Sequence, residues 1–130
     1  MKTFLIDDDY ISNFVTEKVL TDASFSENIR SFLSAEEALD FLKSNMPASI
    51  PDVIFLDLNM PGMNGWDFLE ELEPYREQLK DVCSIYILTS SLDMADTARS
   101  EEYDLVQGLL HKPIDHQDVE VILAELKDQE

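Results

Sequence analysis

The sequence predicts an α/β fold in which a parallel β-sheet is covered by helices on both faces. Five short apolar runs alternate with five stretches of helical character over 130 residues, as expected of repeated strand–helix units. The run DVIFL at 52–56 is almost continuously apolar, which is typical of a strand buried on both faces. The length suits one hydrophobic core, so we expect residues 1–130 to form a single domain.

The five strands are predicted from short apolar segments bounded by polar or turn-forming residues. They are TFLI at 3–6, NIRSFL at 28–33, DVIFL at 52–56, SIYILT at 84–89 and LVQGLLH at 105–111. No run approaches the roughly 20 apolar residues of a membrane helix, so we expect no contact with a membrane.

The five helices are predicted from apolar periodicity and from residues that cap first-turn amides. They cover 10–22, follow Ser34, follow Asn64, cover about 93–102 and follow Asp115. In the first helix the apolar residues on one side are Ile11, Phe14, Val15 and Val19. Glu37 stands three residues after Ser34, a capping-box pattern. Pro74 ends the third helix or restarts it at a first-turn position.

The composition excludes several classes of function. The formal net charge of −19 would repel a phosphate backbone, so we expect no nucleic-acid partner; it favours cations and basic protein surfaces. The N-terminus MKTFLIDDDY becomes acidic too early for a secretory signal. The single cysteine excludes an intrachain disulfide framework and a cysteine-based zinc site. We therefore expect a soluble, cytoplasmic protein.

Polar residues cluster where the strands end, and parallel strands bring their carboxyl ends to one edge of the sheet. These residues are Asp7, Asp8, Asp9, Asp57, Thr89, Ser90, Ser91, His111, Lys112 and Pro113. Clustered carboxylates repel one another unless a cation joins them, and hard oxygen ligands suit Mg²⁺. A lysine and a hydroxyl beside the ion would complete a clamp for a phosphoryl group. The acids of the DDD segment have an alternative role, which is to cap the first helix.

Four segments together resemble the receiver domain of two-component response regulators. They are LIDDD, DLNMPGMNG, ILTSS and HKPID, and the resemblance extends from residue 3 to about 127. It implies a doubly wound, flavodoxin-like receiver fold with strand order 2-1-3-4-5 and five helices. It also implies a stand-alone, single-domain response regulator.

The resemblance implies a role for each site residue. Asp57 would be the phospho-acceptor; Asp8, Asp57 and the backbone carbonyl of Asn59 would bind Mg²⁺, with Asp7 assisting through a metal-bound water. Thr89 would donate its hydroxyl to the phosphoryl group, and Lys112 would pair with a phosphoryl oxygen. Pro113 would follow a cis peptide bond, and Gly65 would allow the loop after Asp57 to turn tightly.

The implied function is signalling. The chain would accept a phosphoryl group from a sensor histidine kinase or phosphotransfer protein, with a small acyl phosphate as a substitute donor. It would catalyse only its own phosphorylation and dephosphorylation, switch a surface around the fourth helix, fifth strand and fifth helix toward a downstream protein, and be a monomer or weak homodimer.

Two features depart from the family pattern or modify it. Leu109 occupies the position where the family often has an aromatic switch residue, which affects output coupling rather than phosphorylation. Asn59 and Ser91, both small and polar, stand where the family tunes dephosphorylation, so we expect a phosphorylated state that is not unusually long-lived.

Two alternative functions remain at this stage. A phosphohydrolase of the haloacid-dehalogenase type would use an aspartyl-phosphate, but it needs an acid two residues after the nucleophile, where Asn59 stands. A pseudo-receiver would bind partners without being phosphorylated, although such proteins usually lose an acid or the lysine.

Overall fold

The computed structural model describes residues 1–91 and 93–128 and contains one five-stranded parallel sheet. Its strand order is β2-β1-β3-β4-β5, with every neighbouring pair parallel. The strands are β1 (Lys2–Ile6), β2 (Asn28–Phe32), β3 (Val53–Asp57), β4 (Ser84–Thr89) and β5 (Val106–His111). The predicted fold class and strand order are confirmed.

Five principal helices connect and follow the strands. They are α1 (Tyr10–Asp22), α2 (Ala35–Asn45), α3 (Gly65–Leu72), α4 (Met94–Ser100) and α5 (His116–Asp128). A 3-10 turn at Glu73–Tyr75 and a one-turn helix at Arg76–Leu79 follow α3, so Pro74 restarts the helical path. Among the described residues, no helix has both the length and the apolar character needed to cross a bilayer.

The predicted helix caps form hydrogen bonds to first-turn amides. The Asn64 side chain accepts from the Asp67 amide at 2.9 Å, and the Asp67 carboxylate accepts from the Asn64 amide at 3.1 Å. Ser34 accepts from the Glu37 amide at 3.1 Å. Asp115 accepts from the Asp118 amide at 2.9 Å. These caps satisfy amides that would otherwise lack an intrahelical partner.

The two faces of the sheet carry separate apolar cores, because alternate strand residues point to opposite sides. Ile54 and Leu56 face the core that includes α2 and α3. Val53 and Phe55 face the core that includes Leu20 of α1 and residues of α5. All five residues of β3 are buried, which explains why its sequence is apolar up to its final aspartate.

The apolar side of α1 is not its buried side, which corrects the expectation from periodicity. Three of the four apolar residues named for that side are exposed, and the fourth, Val19, is half-buried. The exposed fractions are 69 % for Ile11, 59 % for Phe14 and 40 % for Val15. The residues of α1 that are buried are instead Asn13, Thr16 and Leu20.

Hydrogen bonds at the start of α1 explain this orientation. The side-chain amide of Asn13 donates to the carbonyl of Asp7 at 3.0 Å and to the carbonyl of Phe32 at 3.3 Å. These carbonyls belong to the turn after β1 and to the end of β2. Facing the sheet gives the buried side-chain amide of Asn13 these two acceptors, and the apolar side of α1 then faces outward.

We predict that truncating the two sides of α1 has unequal effects on stability. Leu20→Ala should lower the free energy of unfolding by about 2–5 kcal/mol because it leaves a cavity in the core. Phe14→Ala should change it by less than about 0.5 kcal/mol because the ring is largely in solvent. Urea unfolding followed by circular dichroism measures both; equal losses would contradict the observed orientation of α1.

Candidate functional site

The carboxyl ends of β1 and β3 bring three acids together, as predicted. Asp7 and Asp57 are each only 6 % exposed, whereas Asp8 is exposed. One carboxylate oxygen from each of the three lies within 4.8 Å of the others. β1 and β3 are hydrogen-bonded neighbours in register from Thr3 opposite Val53, which sets their two ends side by side.

Within the DDD segment, one acid caps α1 and the other two lie in the acid cluster. Asp9 caps α1, since its carboxylate accepts from the amides of Ile11 at 2.9 Å and Ser12 at 3.3 Å. Asp7 and Asp8 remain for the acid cluster. The capping role therefore belongs to Asp9, whereas a metal role for Asp7 and Asp8 stays a prediction.

Lys112 inserts its ammonium group into the acid cluster. Its Nζ lies 2.7 Å from an Asp7 oxygen and 3.3 Å from an Asp57 oxygen. The same Nζ lies 3.3 Å from the hydroxyl of Ser12. The Lys112–Pro113 peptide bond is cis, as predicted. The Lys112 amide donates to the carbonyl of Thr89 at 2.8 Å, which joins the ends of β4 and β5 at the site.

Burial and charge shift the pKa of two groups in this cluster. Burial, and next the charge of Asp7, raise the pKa of Asp57, and Lys112 opposes this rise without cancelling it. Burial alone would lower the pKa of Lys112, but its contacts with Asp7 and Asp57 outweigh burial and raise that pKa. Lys112 therefore remains an ammonium at neutral pH, and a nearby cation would favour the ionised form of Asp57.

Thr89 lies beside the cluster, but its hydroxyl is engaged elsewhere. The residue is 1 % exposed. Its hydroxyl donates to the carbonyl of Ser91 and accepts from the amide of Ser91, both at 3.2 Å. The hydroxyl thus fastens the start of the loop between β4 and α4.

The loop after Asp57 depends on two glycines for different reasons. Gly62 adopts a φ of +74°, a left-handed conformation that favours glycine. Gly65 was expected to allow the tight turn; a Cβ there would lie 2.6 Å from the carbonyl oxygen of Asp57. Gly65 therefore permits close packing of α3 against the end of β3, while Gly62 makes the turn. Asn59 is exposed on this loop.

Ser12 and Asn13 belong to the site, and the sequence interpretation missed both. Ser12 contacts Lys112, and Asn13 bonds the carbonyl of Asp7. The available signal was the pair of polar residues between Ile11 and Phe14, immediately after the acids. The apolar periodicity of α1 predicts a different buried side and does not indicate these two residues.

The donor set fits a small divalent cation. Three carboxylates supply hard oxygen ligands, and the exposure of Asp8 leaves a side open to water, which Mg²⁺ retains in its coordination shell. The cluster would hold such an ion through Asp8 and Asp57, and Lys112 would keep part of the negative charge neutralised.

Comparison with known proteins identifies relatives of the whole chain. The sequence model named "Response regulator receiver domain" matches residues 3–124. A two component response regulator from Cytophaga hutchinsonii shares 29 % identity with a TM-score of 0.91, covering 98 % of this chain and 96 % of that one. A response regulator receiver protein from Dyadobacter fermentans shares 30 % identity with a TM-score of 0.86, covering 98 % of both chains.

A longer protein is also similar. The DNA-binding transcriptional regulator NtrC of Klebsiella pneumoniae is 32 % identical over 112 residues. The alignment covers 86 % of this chain but only 22 % of that relative's length.

We predict that Mg²⁺ raises the thermal midpoint of unfolding and that Asp8→Asn removes most of this rise. An ion that binds only the folded state stabilises it by about 2.7 kcal/mol at 100 times its dissociation constant. Asp9→Asn is the matched control, because it removes the same charge one residue away and asparagine also caps helices well. Equal loss of the Mg²⁺ effect in both variants would show that only overall charge matters.

Proposed function

The chain belongs to the response regulator receiver domain family, and on that premise we propose that it accepts a phosphoryl group on Asp57 from a histidine kinase or phosphotransfer protein. The observation that carries this proposal is the arrangement around Asp57, where a buried carboxylate at a strand end contacts Lys112 and two further acids. Receiver domains are signalling modules rather than classical enzymes. We propose a cytoplasmic monomer or weak homodimer whose output is a downstream protein.

The proposed transfer reaction is a displacement at phosphorus by the Asp57 carboxylate. A carboxylate oxygen of Asp57 attacks the phosphorus of the donor phosphohistidine, the P–N bond breaks, and the imidazole leaves with the electron pair. The product is an acyl phosphate on Asp57. Bound Mg²⁺, held by Asp8, Asp57 and the Asn59 carbonyl with Asp7 acting through water, would supply positive charge beside the phosphoryl oxygens.

The proposed role of Lys112 in this reaction is to offset the negative charge of the phosphoryl group. Its Nζ lies 3.3 Å from Asp57 before transfer, so a phosphoryl oxygen on Asp57 would arrive within reach of a short movement of the lysine side chain. Its positive charge offsets the negative charge that the phosphoryl group adds. Lys112 therefore positions and neutralises without transferring a proton.

Thr89 would couple phosphorylation to the surface. To donate its hydroxyl to a phosphoryl oxygen, Thr89 must give up the bond that it donates to the Ser91 carbonyl, while its oxygen can still accept from the Ser91 amide. The loop to α4 would then follow the hydroxyl through this remaining bond. The surface that changes includes a groove of about 660 Å³ between α4 and β5, where Leu109 lies in place of an aromatic ring.

The first test is mass spectrometry of the intact protein after incubation with Mg²⁺ and acetyl phosphate. We predict one phosphoryl adduct on the wild type and none on Asp57→Asn or without Mg²⁺. Absence of an adduct on the wild type, together with no Mg²⁺-dependent binding of beryllofluoride, would overturn the proposal and favour a phosphorylation-independent pseudo-receiver. Continuous release of phosphate from small phosphate esters would favour the phosphohydrolase.

An apolar patch beside the site supports docking of a protein donor. The α1 patch consists of Tyr10, Ile11, Phe14 and Val15, which are 70 %, 69 %, 59 % and 40 % exposed. It begins directly after the cap Asp9, so a partner that approaches Asp57 from the side of α1 would contact it. Exposed apolar groups so close together mark interaction sites. We propose that the donor protein covers the α1 patch and presents basic residues to the surrounding acids.

We predict that Phe14→Ala slows phosphotransfer from the kinase that labels the wild type by about tenfold or more, as for a central interface residue. Labelling by acetyl phosphate should be unchanged, because the truncation leaves the site intact. Val121→Ala is the matched control, since Val121 is 52 % exposed on α5. Equal slowing with both donors would mean that Phe14 acts on the site itself, and equal effects of both variants would argue against docking on α1.

A further inference from the structure

Helix α4 is attached to the domain without an apolar face. Of its seven residues, only Ser100 is buried, and Met94 is 89 % exposed. Helix α3, in comparison, buries Gly65, Trp66, Phe68, Leu69 and Leu72. Most helices in proteins are stabilised by packing of an apolar side, so α4 must be held in another way.

Four side chains join α4 to α3, and we call them the α4 latch: Trp66, Glu70, Arg99 and Tyr103. The guanidinium carbon of Arg99 lies 4.6 Å from the centroid of the Trp66 ring system. The Tyr103 ring stacks on Trp66 with centroids 6.0 Å apart and planes 25° apart. The Tyr103 hydroxyl donates to the carboxylate of Glu70. Two residues from α3 thus meet one from α4 and one from the segment that follows it.

The latch is charged and aromatic, so its strength is limited. A cation over an aromatic face at an exposed site contributes modestly, and Arg99 is exposed. Burial, followed by the hydrogen bond to Glu70, raises the pKa of Tyr103, so this phenol keeps its proton and donates at neutral pH. A modest free-energy change at the site is enough to break contacts of this strength, whereas it would not disrupt a packed core.

The two sides of the latch connect to different parts of the site. Trp66 directly follows Gly65, whose amide donates to the Leu58 carbonyl at 3.0 Å and which packs against the Asp57 backbone. Arg99 lies on α4, whose cap Asp93 follows the loop that Thr89 fastens through Ser91. The buried α3 side is fixed, whereas the α4 side is attached to the hydroxyl that the proposed mechanism moves.

We propose that the α4 latch holds α4 in its resting position and that phosphorylation at Asp57 weakens the contact of Arg99 with Trp66, which frees the α4–β5 surface. This proposal rests on the function proposed above. It gives the chain a route for output that does not need an aromatic residue at Leu109. The position of α4 and the state of the site are coupled in both directions. A variant with a broken latch must therefore also favour the activated site.

The test compares Arg99→Gln with Arg30→Gln in the full chain. Arg30 is a matched control, because its guanidinium carbon lies 4.1 Å from the centroid of the Phe41 ring and its loss removes the same charge and the same kind of contact. Hydrogen exchange of the α4 amides, measured by mass spectrometry, reports the latch. Fluorine NMR of bound beryllofluoride with Mg²⁺ reports the site without using Trp66.

We expect Arg99→Gln to speed exchange of the α4 amides roughly two- to fivefold and to lower the half-saturating beryllofluoride concentration by a similar factor, matching the strength of one exposed cation–π contact. Tyr103→Phe, which keeps the ring and removes the bond to Glu70, should act in the same direction. Arg30→Gln should change neither measurement.

Three results would overturn the proposal in distinguishable ways. Unchanged α4 exchange in Arg99→Gln would show that the latch does not hold α4. Faster exchange with unchanged beryllofluoride affinity would make the cluster a structural brace with no link to the site. A wild type that binds no beryllofluoride and gains no phosphoryl adduct from acetyl phosphate would reject the phospho-acceptor function, and the latch as a switch with it.

Discussion

The repulsion between two buried carboxylates is the constraint on which the site depends. Asp7 and Asp57 end neighbouring parallel strands, so the sheet that forms the core also forces their charges together. A single ammonium, Lys112, contacts both and partly offsets the cost of burying them. The remaining excess of negative charge makes the site receptive to a cation. In the proposed reaction the same lysine would also offset the charge of the incoming phosphoryl group, so one side chain would stabilise the site before and after transfer.

Two parts of the domain around this charge cluster are packed to different degrees. On one side, β3 and α3 are buried and meet at Gly65 without room for a side chain. On the other side, α4 is held by a few polar and aromatic contacts. Segments that move during function commonly have a lower local stability than the rest of the fold. In the proposed mechanism, this division would place the well-packed part under the acceptor Asp57 and the loosely held helix next to the output surface.

Much of the fold and the acid cluster was predictable, because the signals are local. Strand DVIFL, the caps Asn64 and Asp115 and the charged strand ends can each be read from a few neighbouring residues. The buried side of α1 was not, because Asn13 bonds a carbonyl at the end of β2, nineteen residues away. The hydrogen bonds between the Thr89 hydroxyl and Ser91 could not be predicted either, because many local partners are open to a hydroxyl at a strand end. The Trp66–Arg99 contact joins separate helices, and no periodicity reveals such a pair.

The outward-facing apolar residues of α1 also affect how copies of the protein associate with one another. At a formal net charge of −19, copies of this protein repel one another strongly in dilute buffer, even though each one presents Phe14 and its neighbours to solvent. Salt shortens the range of that repulsion to about 8 Å at physiological ionic strength and strengthens apolar association only slightly. The negative charge of the whole surface therefore opposes association through this patch, and high salt or acid would favour reversible self-association through the exposed side of α1.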